Sequence, residues 1–406
     1  MIFRLPNDIS ETVIEAIEKK IYYISEKISS YKILNDNGSK YIDLTIDTDT
    51  DTSLIEKRLN SILEESKIAN NNSNNKIIWS FDNQNEWNYK NILEKLLSEK
   101  IVCIHGEGQI SLKQPLIKLI TLFDNIFSTI SRERFKSEEH IFPTLLKTSV
   151  LKKVGYFDSF PNLLMFTLRL RNEVENYYDF KENYKELNSA DKIGDELINY
   201  LCTTDYSLPP TMCYYVYDMF SNNVINNCSV TTKGKSFRYE NKYLEPFKRL
   251  SDFTIRETVF LGDRNYVKKS VSEYRHLSTR VMESLGIKSF CELANDPFFL
   301  VDDMDNKIKA QNILGSKYEL RTFINSLESI AVASFNLHGQ FLSKRFKLYL
   351  NKENSTFINT GCVGVGLERF LYGFITQYGI NEENWPNIIK DLLNEKVSVS
   401  DFVSEL

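Results

Sequence analysis

One stretch, residues 356–378, constrains the fold of this 406-residue chain more than any other. It reads TFINTGCVGVGLERFLYGFITQY: a β-prone segment ends at Gly364 and Gly366, and apolar residues then recur at helical spacing. This pattern predicts a strand that turns sharply into a buried helix and delivers Glu368 and Arg369 into the first helical turn. An arginine beside glycine backbone suits a polyphosphate, and the alternative is a tight packing corner with a solvent-facing Glu–Arg pair.

Composition narrows the class of protein. The length allows two or three domains, and a hydrophobic content of 42% is ample for a core. A formal charge of -5 provides no global basic field for nucleic acid. The first residues lack an apolar signal core, no run approaches the roughly 18 apolar residues of a membrane span, and the six cysteines are scattered. We therefore expect a soluble, cytoplasmic protein with reduced thiols and no membrane partner.

A small α/β domain is predicted for residues 1–105. Its first element is an amphipathic helix over Asp8–Ser30, and a polar connector follows later at Asn70–Asn75. Its remaining elements are strands at 31–34, 41–46, 76–80 and 101–104 and helices at 53–67 and 93–97. Residues 1–100 contain 13 basic and 17 acidic side chains, whereas a unit built to grip RNA phosphates should be basic. The sequence assigns no role to this domain.

The larger domain, residues 106–406, begins with a long helix at Leu116–Arg134, whose apolar surface is too broad for a single core-facing stripe. The segment 138–146 predicts a strand interrupted by Pro143, and a proline there favours a sheet edge. Together these features predict a dimer seam. The alternative is an ordinary edge strand packed within one subunit.

The middle of this domain carries the polar residues of interest. A mixed-charge helix is predicted from Arg171 to about residue 201, and a strand with Cys213 near its start follows the prolines at 209 and 210. Two more strands lie within residues 235–262; alternation places Arg238 and Glu240 on one face of the first. These strands form either a binding site or a solvated hairpin face.

The motifs FRYE (237–240), FTIRE (253–257) and GVGLER (364–369) resemble motifs two and three of class II aminoacyl-tRNA synthetases, and residues 114–146 resemble motif one, the dimer seam of that family. A narrower resemblance is to the amino acid:[carrier protein] ligases, relatives of the zinc-dependent seryl-tRNA synthetases of methanogens. It rests on SFP (159–161), PTMCYYVY (210–217), FTIRETVFLG (253–262), SFNLH (334–338) and TGCVGVGLER (360–369). The fold it implies is α+β: an antiparallel sheet of about six strands flanked by helices, preceded by the small N-terminal α/β domain.

The resemblance implies a catalytic zinc held by Cys213, Glu257 and Cys362. Three protein ligands leave one position open, and in the family that position takes the α-amino group of the substrate. The alternative is two core cysteines and a salt-bridged glutamate.

The resemblance also implies ATP with magnesium. Arg238 would bridge the α-phosphate and the amino acid carboxylate, and Glu240 would accept from the adenine amino group. Arg369 would clamp the γ-phosphate, and Glu328 would hold Mg²⁺ with the β- and γ-phosphates. Asn336 would line the amino acid pocket, while His338 has only a structural role.

Three functions follow from these residues. The first is a ligase that forms an aminoacyl-adenylate and passes the acyl group to the phosphopantetheine thiol of a carrier protein. The second is a seryl-type aminoacyl-tRNA synthetase, against which stand the acidic N-terminal domain and the lack of a long charged coiled coil. The third is a catalytically silent paralogue with a binding or regulatory role, against which stand both arginines and all three metal ligands. A homodimer is expected in each case.

Overall fold

The computed structural model describes residues 1–18, 20–36, 39–47, 50–70, 76–83, 91–185, 197–294 and 316–406. Its α-helices are α1 Glu11–Glu18, α2 Thr52–Asn70, α3 Ile92–Ser98, α4 Leu116–Thr129, α5 Thr148–Val154, α6 Tyr156–Ser159, α7 Val174–Tyr184, α8 Cys213–Met219, α9 Arg264–Ser284, α10 Phe341–Phe346, α11 Leu367–Tyr378, α12 Asn387–Leu393 and α13 Val399–Ser404. Its strands are β1 Ile2–Arg4, β2 Ile28–Asp36, β3 Ser39–Ile46, β4 Ile77–Phe81, β5 Val102–Gly106, β6 Gln109–Leu112, β7 Glu138–His140, β8 Leu146–Lys147, β9 Phe166–Leu170, β10 Leu201–Ser207, β11 Cys228–Phe237, β12 Asp252–Gly262, β13 Ser289–Leu293, β14 Lys317–Phe323, β15 Ser329–Gly339, β16 Tyr349–Asn351, β17 Thr356–Phe357 and β18 Asn359–Gly366.

The N-terminal part of the chain folds around its own apolar core. Strands β1, β3 and β2 form an antiparallel sheet in that order, and the buried isoleucines and leucines of α1 and α2 cover it. The helix predicted over Asp8–Ser30 is too long, because α1 ends at Glu18 and β2 begins at Ile28. Ile28 continues the helical spacing of apolar residues, but it is buried by pairing with Ile46 of β3, so strand pairing overrides the helical period.

Strand β4 lies within residues 1–105, the predicted N-terminal domain, but it belongs to the sheet of the larger domain. It pairs with β13 at the edge of the large sheet, through Trp79 opposite Cys291, rather than with the N-terminal sheet. The next predicted strand forms a separate hairpin, β5 with β6. Apart from its first residue, the predicted connector Asn70–Asn75 lies outside the described residues.

The large sheet has eight strands among the described residues, in the order β4-β13-β14-β15-β18-β12-β11-β7. All neighbouring pairs are antiparallel except β11 with β7, which is parallel. The antiparallel sheet implied by the resemblance is therefore present, with two strands more than expected. Strand β7 lies at the edge, where Pro143 predicted it.

Helices α4, α9 and α11 fill one face of this sheet with apolar side chains. Phe370 of α11 packs edge-on against Phe127 of α4, with ring centroids 5.3 Å apart, and lies 4.8 Å from Phe123. The breadth of apolar surface on α4 is absorbed within the chain, because Leu116, Leu119, Phe123, Ile126 and Phe127 are all fully buried. The opposite face of the sheet carries a second apolar cluster, which includes Val230, Val259 and Leu261, and the polar residues of interest lie beside it.

Three predictions for the middle of the domain need correction. Cys213 begins helix α8 rather than a strand, although the run of tyrosines and valine after it is β-prone. The helix predicted from Arg171 is α7, and residue 201 begins strand β10; residues 186–196 lie outside the description. Strand β11 ends at Phe237, so Arg238 and Glu240 lie in the loop that follows and not on a strand face.

No helix among the described residues combines the length and the apolar character that crossing a membrane requires.

Candidate active site

Cys213, Glu257 and Cys362 converge on one point of the sheet face opposite α4. One potential ligand atom from each lies within 4.8 Å of the others, and all three residues are buried. The sheet register explains two of them: Glu257 of β12 pairs with Gly364 of β18, and Cys362 lies two residues before that glycine. Paired residues and residues two apart share a face, so Glu257 and Cys362 point the same way. Helix α8 brings Cys213 over that face.

The start of α8 holds the Glu257 carboxylate in place. Its Oε2 accepts hydrogen bonds from the backbone N–H groups of Met212 and Cys213, at 2.8 and 2.9 Å, and from Thr211 Oγ1 at 2.8 Å. These are N–H groups that have no partner within the helix. Burial, and secondarily the charge of Cys362, raise the pKa of Glu257 to about 8. Since these three hydrogen bonds all go to Oε2, Oε1 is the oxygen left for a cation.

Cys362 lies among hydrogen-bond donors. Cys213 is the first cause of a pKa well below the usual thiol range, and His338 and Asn336 act in the same direction. His338 Nε2 lies 3.8 Å and Asn336 Nδ2 3.7 Å from Cys362 Sγ. Asn336 of β15 is paired directly with Cys362 across the sheet, so its side chain lies on the same face. His338 thus contacts a candidate ligand, which the purely structural role expected for it did not include.

This donor set fits zinc. Two thiolates and a carboxylate are ligands that zinc takes at about 2.0–2.3 Å, and two sulfurs on one tetrahedral ion lie roughly 3.8 Å apart, within the spread seen here. Burial raises the pKa of Glu257 and of Cys213, and a divalent cation bound there would stabilise the deprotonated forms that burial disfavours. The alternative of a salt-bridged glutamate finds no support among the described residues, since Glu257 accepts from the hydroxyl of Thr211 and from backbone N–H groups, and no cationic side chain contributes to its pKa shift.

Arg369 lies at the start of α11, where β18 turns into the helix as predicted. Its Nε donates to the carbonyl oxygen of Lys248 at 2.7 Å, and Nη1 lies 3.4 Å from the carbonyl oxygen of Ala331. The preceding residue, Glu368, is buried and accepts from the backbone N–H and hydroxyl of Thr254 at 2.7–2.9 Å. The alternative of a solvent-facing Glu–Arg pair is therefore wrong.

Two more arginines, Arg238 and Arg249, lie near Arg369. Burial lowers the pKa of Arg369 to about 10, and among neighbouring charges Arg238 lowers it most; Glu240 opposes and Arg249 lowers it further. Arg238 is held by a hydrogen bond from Nε to the carbonyl oxygen of Pro210, at 3.2 Å, and by its guanidinium 5.1 Å from the ring of Phe253. The three guanidinium groups thus lie near one another and within reach of Glu240.

Glu328 lies in the turn that precedes β15. Its carboxylate pairs with Lys248 Nζ at 2.8 and 3.1 Å and accepts from Asn325 at 3.3 Å. Lys248 is also the residue whose carbonyl oxygen receives Arg369. Lys248 therefore connects Glu328 to Arg369: its side chain forms an ion pair with Glu328, and its carbonyl oxygen accepts from Arg369.

Sequence reasoning missed several residues of this site. Tyr214 lies between the two clusters: burial raises its pKa well above the usual range, and Cys213, Tyr156 and Glu257 add to the shift while Arg238 opposes it. The tyrosine rings 156 and 214 lie 6.2 Å apart. Lys248 and Arg249 were also overlooked. The sequence did contain a clue to each of them: Tyr214 lies inside the motif PTMCYYVY, and Lys248 and Arg249 lie in the loop that follows FRYE.

Comparisons with known proteins show what the chain is similar to. Residues 200–378 match the tRNA synthetase class II core domain (G, H, P, S and T). The chain is 28% identical over 296 residues to a type-2 serine–tRNA ligase of Methanococcus maripaludis, an alignment that covers 70% of this chain and 56% of the relative. It is 24% identical over 310 residues to that of Methanocaldococcus jannaschii, covering 74% of this chain and 58% of the relative.

The fold is also similar to solved structures. M. kandleri SerRS, in a complex with A. aeolicus tRNASec, superposes with a TM-score of 0.70 at 18% identity, covering 97% of this chain and 77% of that one. The cytoplasmic serine–tRNA ligase of Naegleria fowleri, in complex with AMP, gives a TM-score of 0.59 at 13% identity, covering 84% and 81%.

The chain spans little more than half the length of the curated relatives it matches. The chain has the class II aminoacyl-tRNA synthetase fold, with the class II core domain at residues 200–378, and its sequence is homologous to the type-2 serine–tRNA ligases of methanogens.

Proposed function

From a chain with a class II synthetase catalytic domain, we propose an enzyme that activates an amino acid with ATP as an aminoacyl-adenylate. The observation that carries this proposal is a pair of clusters of opposite charge that both act on Tyr214, through Cys213 and Glu257 on one side and Arg238 on the other. One is the acidic trio Cys213, Glu257 and Cys362, and the other is the group of arginines around Arg369. An amino acid has a cationic and an anionic end, and ATP is a polyanion, so the two clusters match the two substrates.

The chemistry is attack of the amino acid carboxylate on the α-phosphorus of ATP. A carboxylate is already ionised, so the reaction requires in-line positioning and neutralisation of phosphate charge rather than a general base. Arg238 would hold the α-phosphate and the carboxylate together, and Arg369 would hold the γ-phosphate. Glu240 would accept from the adenine amino group. Glu328 would hold Mg²⁺ and would exchange its ion pair with Lys248 for that cation.

Cys213, Glu257 and Cys362 would hold zinc, which supplies an open coordination position for the α-amino group of the substrate. The residues of this chain shape the rest of that pocket. Asn336 donates toward Cys362 and His338 contacts it, so both would orient this side chain, and Asn336 also lies on the sheet face where the amino acid would sit. A substrate without an α-amino group would lose that contact, so a plain carboxylic acid should be a poor substrate.

Two acceptors have specific support. A tRNA is favoured by the comparisons, because the relatives reported above are serine–tRNA ligases, and serine is then the first amino acid to test. The phosphopantetheine thiol of a carrier protein is favoured by the ordered motifs of the sequence and by the acidic balance of residues 1–100. We place the tRNA first, because homology over most of this chain outweighs a net charge that ignores clustering.

ATP–pyrophosphate exchange with each amino acid in turn tests activation. We expect exchange with a small set that includes serine and none with the matching hydroxy or plain carboxylic acids. Radiolabelled amino acid is then offered to total tRNA and to a phosphopantetheinylated carrier protein, with the unmodified carrier protein as the control. Absence of exchange with every amino acid, in zinc-replete protein, would contradict the proposal and favour a silent paralogue.

A further inference from the structure

The loop of residues 238–251, which joins β11 to β12 and carries Arg238 and Glu240, is fixed at its far end by the catalytic domain. The side chain of Phe247 is fully buried, and its ring stacks on Tyr372 of α11 with centroids 5.0 Å apart. The next residue gives its carbonyl oxygen to Arg369. This end of the loop therefore belongs to the site already described.

The near end of the loop is fixed by the N-terminal sheet unit, residues 1–70. Asn241 Nδ2 donates to the carbonyl oxygen of Tyr22 at 2.9 Å, and the Tyr22 N–H donates to Tyr243 Oη at 3.1 Å. The Tyr243 hydroxyl in turn donates to the carbonyl oxygen of Glu18. The loop thus exchanges hydrogen bonds in both directions with the backbone around the short 3-10 turn Ile21–Tyr23.

The same contact leads on to Glu240. The centroid of the Tyr243 ring lies 5.0 Å from that of Tyr22. The guanidinium of Arg249 lies 5.7 Å from the centroid of the same Tyr243 ring. Arg249 Nη1 is 3.4 Å from Glu240 Oε2. Tyr23 also lies near that carboxylate: its pKa is raised to about 12, by burial first and by Glu240 second.

We propose that the turn Ile21–Tyr23 is a clamp that fixes the 238–251 loop for the nucleotide, with Asn241 and Tyr243 as positioning residues for ATP. The inference rests on the proposed function, since it assigns ATP to Glu240 and Arg238. A free loop must lose conformational entropy when a ligand binds, and a loop held beforehand has already lost it. Releasing the clamp should therefore weaken ATP binding and leave the amino acid cluster intact.

Two substitutions release the clamp with little damage to the fold. Asn241 has a positive φ of 51°, which glycine adopts freely, so Asn241→Gly removes the side-chain hydrogen bond and keeps the backbone. Tyr243→Phe removes the hydroxyl and keeps the ring. Tyr41→Phe is the matched control: Tyr41 is a half-exposed tyrosine of the same unit, on the strand Ser39–Ile46.

The readouts are the KM for ATP and the KM for the amino acid in pyrophosphate exchange, together with hydrogen exchange of the amides of residues 239–250. Each lost hydrogen bond should raise the KM for ATP about 3- to 10-fold, with little change in the KM for the amino acid. Amide exchange in the loop should become faster in both variants, and the control should match the wild type.

If Asn241→Gly and Tyr243→Phe, singly and combined in one protein, leave both the KM for ATP and the amide exchange of the loop unchanged, the clamp is overturned. An equal rise in both KM values would also overturn it, because that result indicates general loss of structure. If the wild type shows no ATP–pyrophosphate exchange with any amino acid, the proposed function fails. The clamp is then judged by ATP affinity from calorimetry and by the amide exchange of the loop, neither of which needs turnover.

Discussion

The arginine cluster is an unfavourable arrangement for a protein with nothing bound to it. Burial first, and then repulsion from the neighbouring guanidinium groups, lower the pKa of Arg369 to about 10. Glu240 offsets only part of this charge, because it already pairs with Arg249. A polyphosphate supplies the missing negative charge through charge-assisted hydrogen bonds.

Replacing Arg369 or Arg238 by alanine should nearly abolish adenylate formation. Each guanidinium donates to developing charge in the transition state, and removal of one such donor costs on the order of 10²–10³ in rate. Pyrophosphate exchange at saturating amino acid measures the loss. Arg280→Ala is the control, since Arg280 is exposed on α9 and pairs with Glu283 on the same helix. Wild-type exchange in Arg369→Ala would remove this residue from the proposed site.

Replacing Cys213 by serine should remove both the metal and amino acid activation. A serine hydroxyl is a poor zinc ligand at neutral pH, and losing one of three protein ligands leaves too few for a catalytic site. Elemental analysis should find about one zinc per wild-type chain and much less in the variant. Cys103→Ser, at a half-buried cysteine of β5, should keep both properties. Full zinc content in Cys213→Ser would rule out this ligand.

At the level of elements, a buried ion-pair group joins α4 to the sheet. Arg256 of β12 binds Asp124 of α4 through two hydrogen bonds, at 2.7 and 3.1 Å, and Glu139 of the edge strand β7 through a third at 2.7 Å. Lys233 of β11 reaches the same aspartate at 2.8 Å. Four elements thus meet in this group of charges, on the face of β12 opposite the one that carries Glu257.

Asp124→Asn should destabilise the protein by about 3–5 kcal/mol, because it leaves a buried guanidinium without its main partner. Glu139→Gln should cost less than about 1 kcal/mol, since the Glu139 side chain is 42% exposed. Urea denaturation of both variants measures the two values. Equal losses would show that burial of the partner does not decide the strength of this group.

The same pair predicts a pH dependence. Burial is the largest single influence on the pKa of Asp124 and would raise it, but Arg256 and Lys233 together lower it below the usual 3.8. A carboxyl whose pKa is lower in the folded state stabilises the protein above the unfolded pKa and loses that contribution as pH falls through the folded one. Below about pH 4 the wild type should therefore lose stability more steeply than Asp124→Asn, which acid denaturation curves will show.

Elements with strong local patterns could be predicted from the sequence, and elements set by tertiary contacts could not. The strand and helix around Arg369 follow from β-prone residues, glycines and an apolar helical period. Helix α8 does not, because its tyrosines and valine favour a strand and the N–H groups at its start are bound by Glu257, 44 residues further along the chain. The convergence of the three candidate metal ligands came only from the resemblance, since no local spacing encodes it.

The docking of the N-terminal unit on the 238–251 loop was equally invisible in the sequence. Its contacts join residues more than 210 positions apart, such as Tyr22 with Tyr243, and they use backbone atoms that any residue type offers. The net charge of residues 1–100 bears only on whether this unit binds phosphates. It carried no information on a contact made of tyrosine rings and backbone hydrogen bonds.

For the whole molecule, the homodimer remains a prediction, and its structural basis is narrower than the sequence indicated. Helix α4 keeps most of its apolar residues inside the chain, and only Ile117 on it is an exposed large apolar residue, at 43%. What remains is the edge strand β7, followed by Ile141 with 94% of its surface exposed. An unpaired edge next to an exposed isoleucine is a site where a second copy can add.

Ile141→Asp should therefore weaken the dimer. Burying one isoleucine contributes about 1.5–3 kcal/mol, and a twofold interface contains each residue twice, so the dissociation constant should rise about 10²- to 10⁴-fold. Light scattering after size-exclusion chromatography at micromolar concentration measures the change. Leu327→Asp is the matched control, because Leu327 is equally exposed, at 95%, but lies in the turn before β15. A wild-type monomer, or a dimer that persists in Ile141→Asp, would move the interface away from this edge.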